Sequence, residues 1–447
     1  VAGELEDAPL ATTAANIGAQ AATLPERAAT FLGAIGVNIH LGFVGETAPI
    51  IISDMAYLGL SNIRSHGIGP LSSPAQVEAF GDLAAAGLKF DWLTGSTLST
   101  TLSDLNTFLK AHPNAISTIE GPNEVNNFPI AFGALSGNSA ALAYQSALYS
   151  AVKSNPLSAS IPVLDFTDSP GIVGAADAAN DHPYPKAGAQ PLASLTDTAQ
   201  RLQKLMPGAP EYFTEAGYSS LPGLHGWEGV DAATQAKLTL NLIMDAASLG
   251  IKATYLYDLI DDGPDLSNTI GTDHFGLFTI AGKAKPAAVA IHNLTAILSD
   301  PGAAATSFTQ TALNYTISGL PTSGSSFLIE KSAGVYDLVL WAEPQIWNAA
   351  THSPVPAPTE QVVVDFASAA GQASVFDPLV SASALTTETN AKTVTVAVSD
   401  HPVILQVSNF AQAMSSFGAA KAAIAWIHPP VAPTPSAAPT LVHGHGA

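Results

Sequence analysis

The chain contains no cysteine, which excludes a disulfide framework, a thiolate metal site and cysteine nucleophile chemistry. Cations are scarce: Lys and Arg number 15 against 36 Asp and Glu, for a formal net charge of −21. Such a chain repels phosphate backbones and anionic lipid heads, so nucleic acid and a membrane surface are not expected as partners. A strongly anionic polysaccharide is repelled too, unless a local basic site offsets the field. No run of eighteen apolar residues exists, so no membrane-spanning helix is expected. HExxH, a phosphate-cradling glycine loop and a GxSxG elbow are all missing, which leaves metalloprotease, nucleotide-dependent and serine-hydrolase chemistry without support.

What is present is a large apolar fraction, 47% of 447 residues, enough for a sizeable core and more than one domain. The abundance of Ala, Ser, Thr and Pro, the few lysines and a chain that opens on Val1 fit a mature exported protein, secreted or periplasmic. Oligomeric state is left open.

Short apolar runs alternate with longer amphipathic stretches from about residue 34 to 298. The runs are 33–42, 58–64, 87–93, 115–121, 161–166, 179–185, 210–215 and 251–258. Each has strand length, and apolar character on both faces points to a buried parallel sheet. The clearest helix lies between Asp231 and Leu249: Asp231 caps it, Leu238, Leu242, Ala246 and Leu249 share one face, and Gly250 supplies the stop. Residues 139–154, 194–206 and 285–298 read as further helices. Eight strand–helix units of this size predict an α/β fold, a (β/α)8 TIM barrel, with a doubly wound open sheet as its rival. Beyond it, runs at 325–331, 336–343, 361–366, 373–378, 392–399 and 402–408 alternate with Gly, Ser and Pro turns, the pattern of an antiparallel β-sandwich. The expected organisation is a leader (1–30), the barrel (31–298), the sandwich (299–428) and a Pro/Ala-rich, disordered tail (429–447).

In such a barrel the chemistry sits at the carboxyl ends of the strands. The fourth run ends in Gly121-Pro122-Asn123-Glu124 and the seventh in Phe213-Thr214-Glu215-Ala216-Gly217. That sets two carboxylates across the barrel mouth, as glycoside hydrolysis requires: one acid to protonate the leaving oxygen and one carboxylate to attack the anomeric carbon. Asn-Glu after strand four with a Glu after strand seven resembles the clan A glycoside hydrolases, the grouping that includes families 5, 39 and 79. The resemblance implies a retaining hydrolase of β-linked oligo- or polysaccharide, without cofactor or catalytic metal. Glu124 would be the acid/base, Glu215 the nucleophile, and Asn123 a partner of the substrate 2-hydroxyl. Arg64, closing the second strand, resembles the arginine that pairs with the nucleophile. His182 and Tyr184, in Asp181-His182-Pro183-Tyr184, resemble the clan's His-x-Tyr element, whose tyrosine orients the nucleophile. His40, at the end of strand one, is a candidate sugar contact.

One position departs from the clan. A tryptophan usually closes strand eight beneath the first sugar, whereas this chain has Tyr255-Leu256-Tyr257-Asp258. Tyr257 would offer a smaller platform, or Asp258 a hydrogen bond to a hydroxyl. The same residues would serve a transglycosylase, or a silent carbohydrate-binding barrel. Glu120 competes for the acid role, although its place inside an apolar run favours a buried, paired carboxylate. Trp92, Trp227 and Phe128 could stack on sugar faces or simply pack under loops. The acidic loop 258–265 offers oxygen ligands for calcium but lacks an established ligand pattern, so a solvated loop is the expectation. His443-Gly444-His445 is expected to be disordered rather than metal-binding.

Overall fold

The computed structural model describes residues 24–66, 73–167, 171–223 and 229–408. The first 23 residues, the tail from residue 409, and Trp227, His443 and His445 lie outside them.

Eight parallel strands form one sheet: β1 (Ile35–Asn38), β2 (Asn62–His66), β3 (Lys89–Thr94), β4 (Ile116–Pro122), β5 (Val163–Leu164), β6 (Ala179–Asp181), β7 (Glu211–Ala216) and β8 (Ala253–Leu256). Their hydrogen-bonded order runs β5-β4-β3-β2-β1-β8-β7-β6. A single parallel bridge, Leu164 to Ala178, nearly closes the gap between β5 and β6. This is the (β/α)8 barrel expected from the eight apolar runs.

Helices follow the strands with one exception. The helix at Ala232–Ser248 begins on Asp231, whose carboxylate accepts from the Thr234 amide at 2.7 Å, and stops before Gly250 at φ 78°. Between β5 and β6, however, no helix occurs among the described residues, which corrects the count of eight strand–helix units. Gly171 takes φ 89° there, and both Asp165 carboxylate oxygens accept from the Gly174 amide. Glycine at two of these positions and a carboxylate competing for the backbone disfavour helix.

The barrel interior has two layers. Leu164, Ala178, Tyr212, Ala253 and Tyr255 make the apolar lower one. Gly36 in β1 permits that packing, since a Cβ there would lie 2.3 Å from the Tyr255 ring. Above it the interior turns polar, with Asn38, Arg64, Asp91, Glu120 and Thr214 all buried. Buried charges need partners, and those partners define the site.

The C-terminal unit comprises β9 (Tyr315–Ser318), β10 (Gly324–Lys331), β11 (Val335–Ala342), β12 (Glu360–Asp377), β13 (Ser381–Val398) and β14 (Val403–Ser408). The runs at 361–366 and 373–378 are one long strand, β12, with register breaks after Asp365 and Val375. Its first half pairs with β9 and its second with β14, so the bent β12–β13 hairpin serves both layers. β9 escaped the sequence reading because only Tyr315 and Ile317 point inward. Glu26–Arg27 adds a parallel edge to β10, so the end of the leader belongs to this sheet. Its outer face packs on the barrel helices, where Trp341 Nε1 donates to Asp245 at 3.0 Å.

Candidate active site

The polar interior centres on Arg64, at the carboxyl half of β2. Its guanidinium binds Glu120 through Nε (2.7 Å) and Nη2 (2.9 Å). It reaches Glu215 Oε1 through Nη1 at 2.6 Å, and the oxygens of Asn38 and Asn123 at 2.8 and 2.6 Å. Burial alone would weaken its proton affinity, but Glu120 and Glu215 push it well above the ordinary arginine value. Glu120 is therefore the buried structural carboxylate. Asp91 lies behind it, and burial together with Glu120 pushes its carboxyl far up while Arg64 holds Glu120 low.

Glu215, in β7, is oriented from both sides. Arg64 holds Oε1, and the Tyr184 hydroxyl donates to Oε2 at 2.7 Å. Burial and the neighbouring carboxylate keep the Tyr184 phenol protonated far above its usual range. Its ring is fixed edge-on by Tyr257 and Phe275, at centroid distances of 6.1 and 5.7 Å. Gly217 follows Glu215's strand because a Cβ would meet the Tyr257 carbonyl at 2.4 Å.

Glu124 sits where β4 breaks into a turn and takes φ 39°, a conformation that costs a non-glycine residue on the order of 1 kcal/mol or more. The turn is held by the Glu124 amide donating to Thr167 Oγ1 at 2.8 Å and by the Asn127 and Phe128 amides donating to the Glu124 carbonyl at 2.8 Å each. Its carboxylate meets Asn127 Nδ2 at 3.0 Å and His182 Nδ1 at 3.0 Å. Burial pulls the His182 imidazole down, but Glu215 and Glu124 outweigh it and raise its pKa to about 8. His182 thus lies between the two carboxylates, which favour its protonated form. One oxygen each of Glu124 and Glu215 lies within 4.8 Å of the other and of a His182 nitrogen.

A second cluster closes the floor at β1 and β8. His40 Nδ1 lies 2.7 Å from Asp262 and 3.6 Å from Asp258, and the Tyr257 hydroxyl donates to Asp262 at 3.1 Å. Burial opposes a charge on His40, yet the two aspartates raise its pKa to about 10. Asp258 is fully buried and its carboxyl is pushed up by burial. The loop after β8 spends its carboxylates inside the protein: Asp261 pairs with Lys285, and Asp265 accepts the Thr269 and Ile270 amides. His40, Asp258 and Asp262 are one of two groups with metal-ligand atoms within 4.8 Å among the described residues, the other being Glu124, His182 and Glu215. In both, the imidazole already bonds a carboxylate.

These groups open onto a cavity of about 1200 Å³. Asn38, His40, Arg64, Asn123, Glu124, Tyr184, Glu215 and Tyr257 all line it, so the structure brings most of the expected residues together. Phe128 lines it too and is 63% exposed. Trp92 does not. It is 1% exposed and packs against Phe80, Phe90 and Phe108, because its position on β3 points outward into the helices. Asn38, Thr167 and Asn127 escaped the sequence reading, and Asp262 entered it only as one carboxylate of the acidic loop 258–265. Only Asn38 left a signal, an amide inside an apolar run.

No protein-family model matches the chain, and no curated protein matches it. Among solved structures it is similar to a family 39 glycoside hydrolase from Bacteroides cellulosilyticus WH2, at TM-score 0.58 and 15% identity over 86% of this chain and 81% of that one. It is also similar to a glucosidase from Croceicoccus marinus, at TM-score 0.52 and 10% identity over 89% and 98%. The likeness is one of fold, which this chain shares with these two glycosidases.

Proposed function

We propose, from a chain that shares its fold with these glycosidases, that this protein is a retaining clan A glycosidase acting on β-linked oligo- or polysaccharide. Glu215 attacks the anomeric carbon while Glu124 gives its proton to the departing glycosidic oxygen. The covalent glycosyl-enzyme is then opened by water, which Glu124 deprotonates, and Glu215 leaves as a carboxylate. Arg64 and Tyr184 aim the nucleophile, and Asn123, held by Arg64, faces the 2-hydroxyl of the sugar. His40 and Tyr257 form the floor beneath it, whereas Asp258, expected to reach a sugar hydroxyl, is fully buried behind them and does not line the cavity.

The observation that carries this reading is the approach of the two carboxylates, whose facing oxygens are within 4.8 Å. Retention corresponds to carboxyl groups about 5–5.5 Å apart and inversion to about 6.5–9.5 Å; the nearest-oxygen approach is compatible with the closer spacing, and the anomeric configuration of the product decides between them. In this reading the barrel (31–298) is the catalytic unit and the sandwich (299–428) its buttress, and the protein works outside the cytoplasm. No helix among the described residues is long and apolar enough to cross a membrane.

The test is turnover of a panel of aryl β-glycosides and β-linked polysaccharides, with the Glu215→Ala protein as control. Turnover that disappears in the variant supports the assignment and names the sugar. Sugar binding without turnover in the unaltered protein would refute it.

A further inference from the structure

We infer that the cavity accepts only electrically neutral glycosides and rejects sugars bearing a carboxylate, such as uronates. This rests on the glycosidase reading above and names its substrate class. Recognition of a uronate requires a cation free to face the sugar carboxylate, since an anion leaving water must be paired. Among the described residues only two strong cations line the cavity, Arg64 and His40, and no lysine does.

Both are already committed. Arg64 sends Nε and Nη2 to Glu120, Nη1 to Glu215 and Asn38, and Nη2 again to Asn123. His40 faces Asp262 at 2.7 Å and Asp258 at 3.6 Å. The third basic group, His182, lies between Glu124 and Glu215, at 3.0 and 3.6 Å. Each positive group is therefore already paired with at least one carboxylate.

The far wall supplies nothing to change that balance. Thr94 to Thr97 line one side, and Phe128, Pro129 and Ile130 the other. The internal segments 67–72, 168–170 and 224–228 contain no lysine or arginine in their sequence. A sugar carboxylate next to the anomeric centre faces Glu124 and Glu215, the two carboxylates that line the cavity, in a chain whose net charge is −21. At about 6 Å and an effective dielectric near 20, one such like-charge contact lowers affinity by roughly a hundredfold. Salt screens it little in a buried site.

The experiment compares 4-nitrophenyl β-glycosides in matched sets of three: the neutral hexoside, the corresponding uronide, and the uronamide of the same shape without the charge. The sets are made on a sugar that the panel above has shown to be turned over, and kcat/KM is read within each. The expected result is hexoside turnover, partial activity on the uronamide, and uronide activity lower than the uronamide by about a hundredfold or more. In Asp262→Asn, which releases half of the His40 charge, the uronamide-to-uronide ratio should narrow several-fold. A uronide turned over as well as its amide would overturn the inference while leaving the glycosidase reading in place. A protein that turns over nothing in that panel refutes the glycosidase reading, and the inference falls with it.

Discussion

Removing a single oxygen from Tyr184 tests how the nucleophile is held. In Tyr184→Phe the ring keeps its edge contacts with Tyr257 and Phe275, so the fold should be unaffected. Glu215 keeps its 2.6 Å bond to Arg64 on Oε1 and loses the 2.7 Å phenol donor on Oε2. A hydrogen bond to a charged acceptor contributes about 1.5–3 kcal/mol, so the rate should fall roughly 10- to 150-fold at about 1.4 kcal/mol per factor of ten. The loss should appear in kcat for a substrate whose first step limits, because the phenol positions the attacking carboxylate rather than the sugar. The assay is steady-state hydrolysis of an aryl glycoside that the panel has identified, with thermal unfolding of both proteins as the fold control. A change below about threefold with an unaltered melting curve would refute the claim that Tyr184 orients the nucleophile.

Glu124→Ala should lower the first step by about 100- to 10,000-fold for alkyl or phenyl leaving groups, and leave a dinitrophenyl glycoside nearly untouched there. Equal losses on both would count against the acid role. Trp92→Leu should destabilise the protein by on the order of 3 kcal/mol through loss of ring packing, with KM unchanged; a KM raised severalfold would return Trp92 to the substrate site. His401 bridges Asp377 and Asp400 at the sandwich edge, and against burial these carboxylates raise its pKa to about 8. Because the folded value exceeds the unfolded one near 6.5, the resulting stability of about 2 kcal/mol is complete below pH 6.5 and lost as pH rises through 8. Melting temperature should therefore decline across that window, and less steeply in His401→Gln, where the contributions of His40 and His182 remain; parallel slopes in both proteins would refute the linkage.

The barrel was legible because its strands are buried on both faces and its helices carry their own start and stop residues, as Asp231 and Gly250 do. The segment between β5 and β6 was not, since Gly171 and Gly174 leave a spacing that resembles a strand–helix unit without its helix. The catalytic candidates were legible from position alone: Glu124, Glu215, Arg64 and Tyr184 each close an apolar run, and strand ends converge in a barrel. Trp92 misled because a residue in a barrel strand faces the interior or the helices according to parity, and a run apolar on both faces hides that parity. Asp262 lies in a loop four residues past Asp258, and only three-dimensional contact with His40 gives it a role. Thr167 and Asn127, which shape the Glu124 turn, are likewise ordinary loop residues in sequence.

The most direct test of the central claim is to trap the glycosyl-enzyme with a 2-deoxy-2-fluoro β-glycoside of the sugar found by the panel, carrying a dinitrophenolate leaving group, and to map the adduct by mass spectrometry of a proteolytic digest. The account predicts one added sugar on the peptide bearing Glu215, and none in Glu215→Ala. A label on a different residue, or no adduct together with a product of inverted anomeric configuration by NMR, would contradict it.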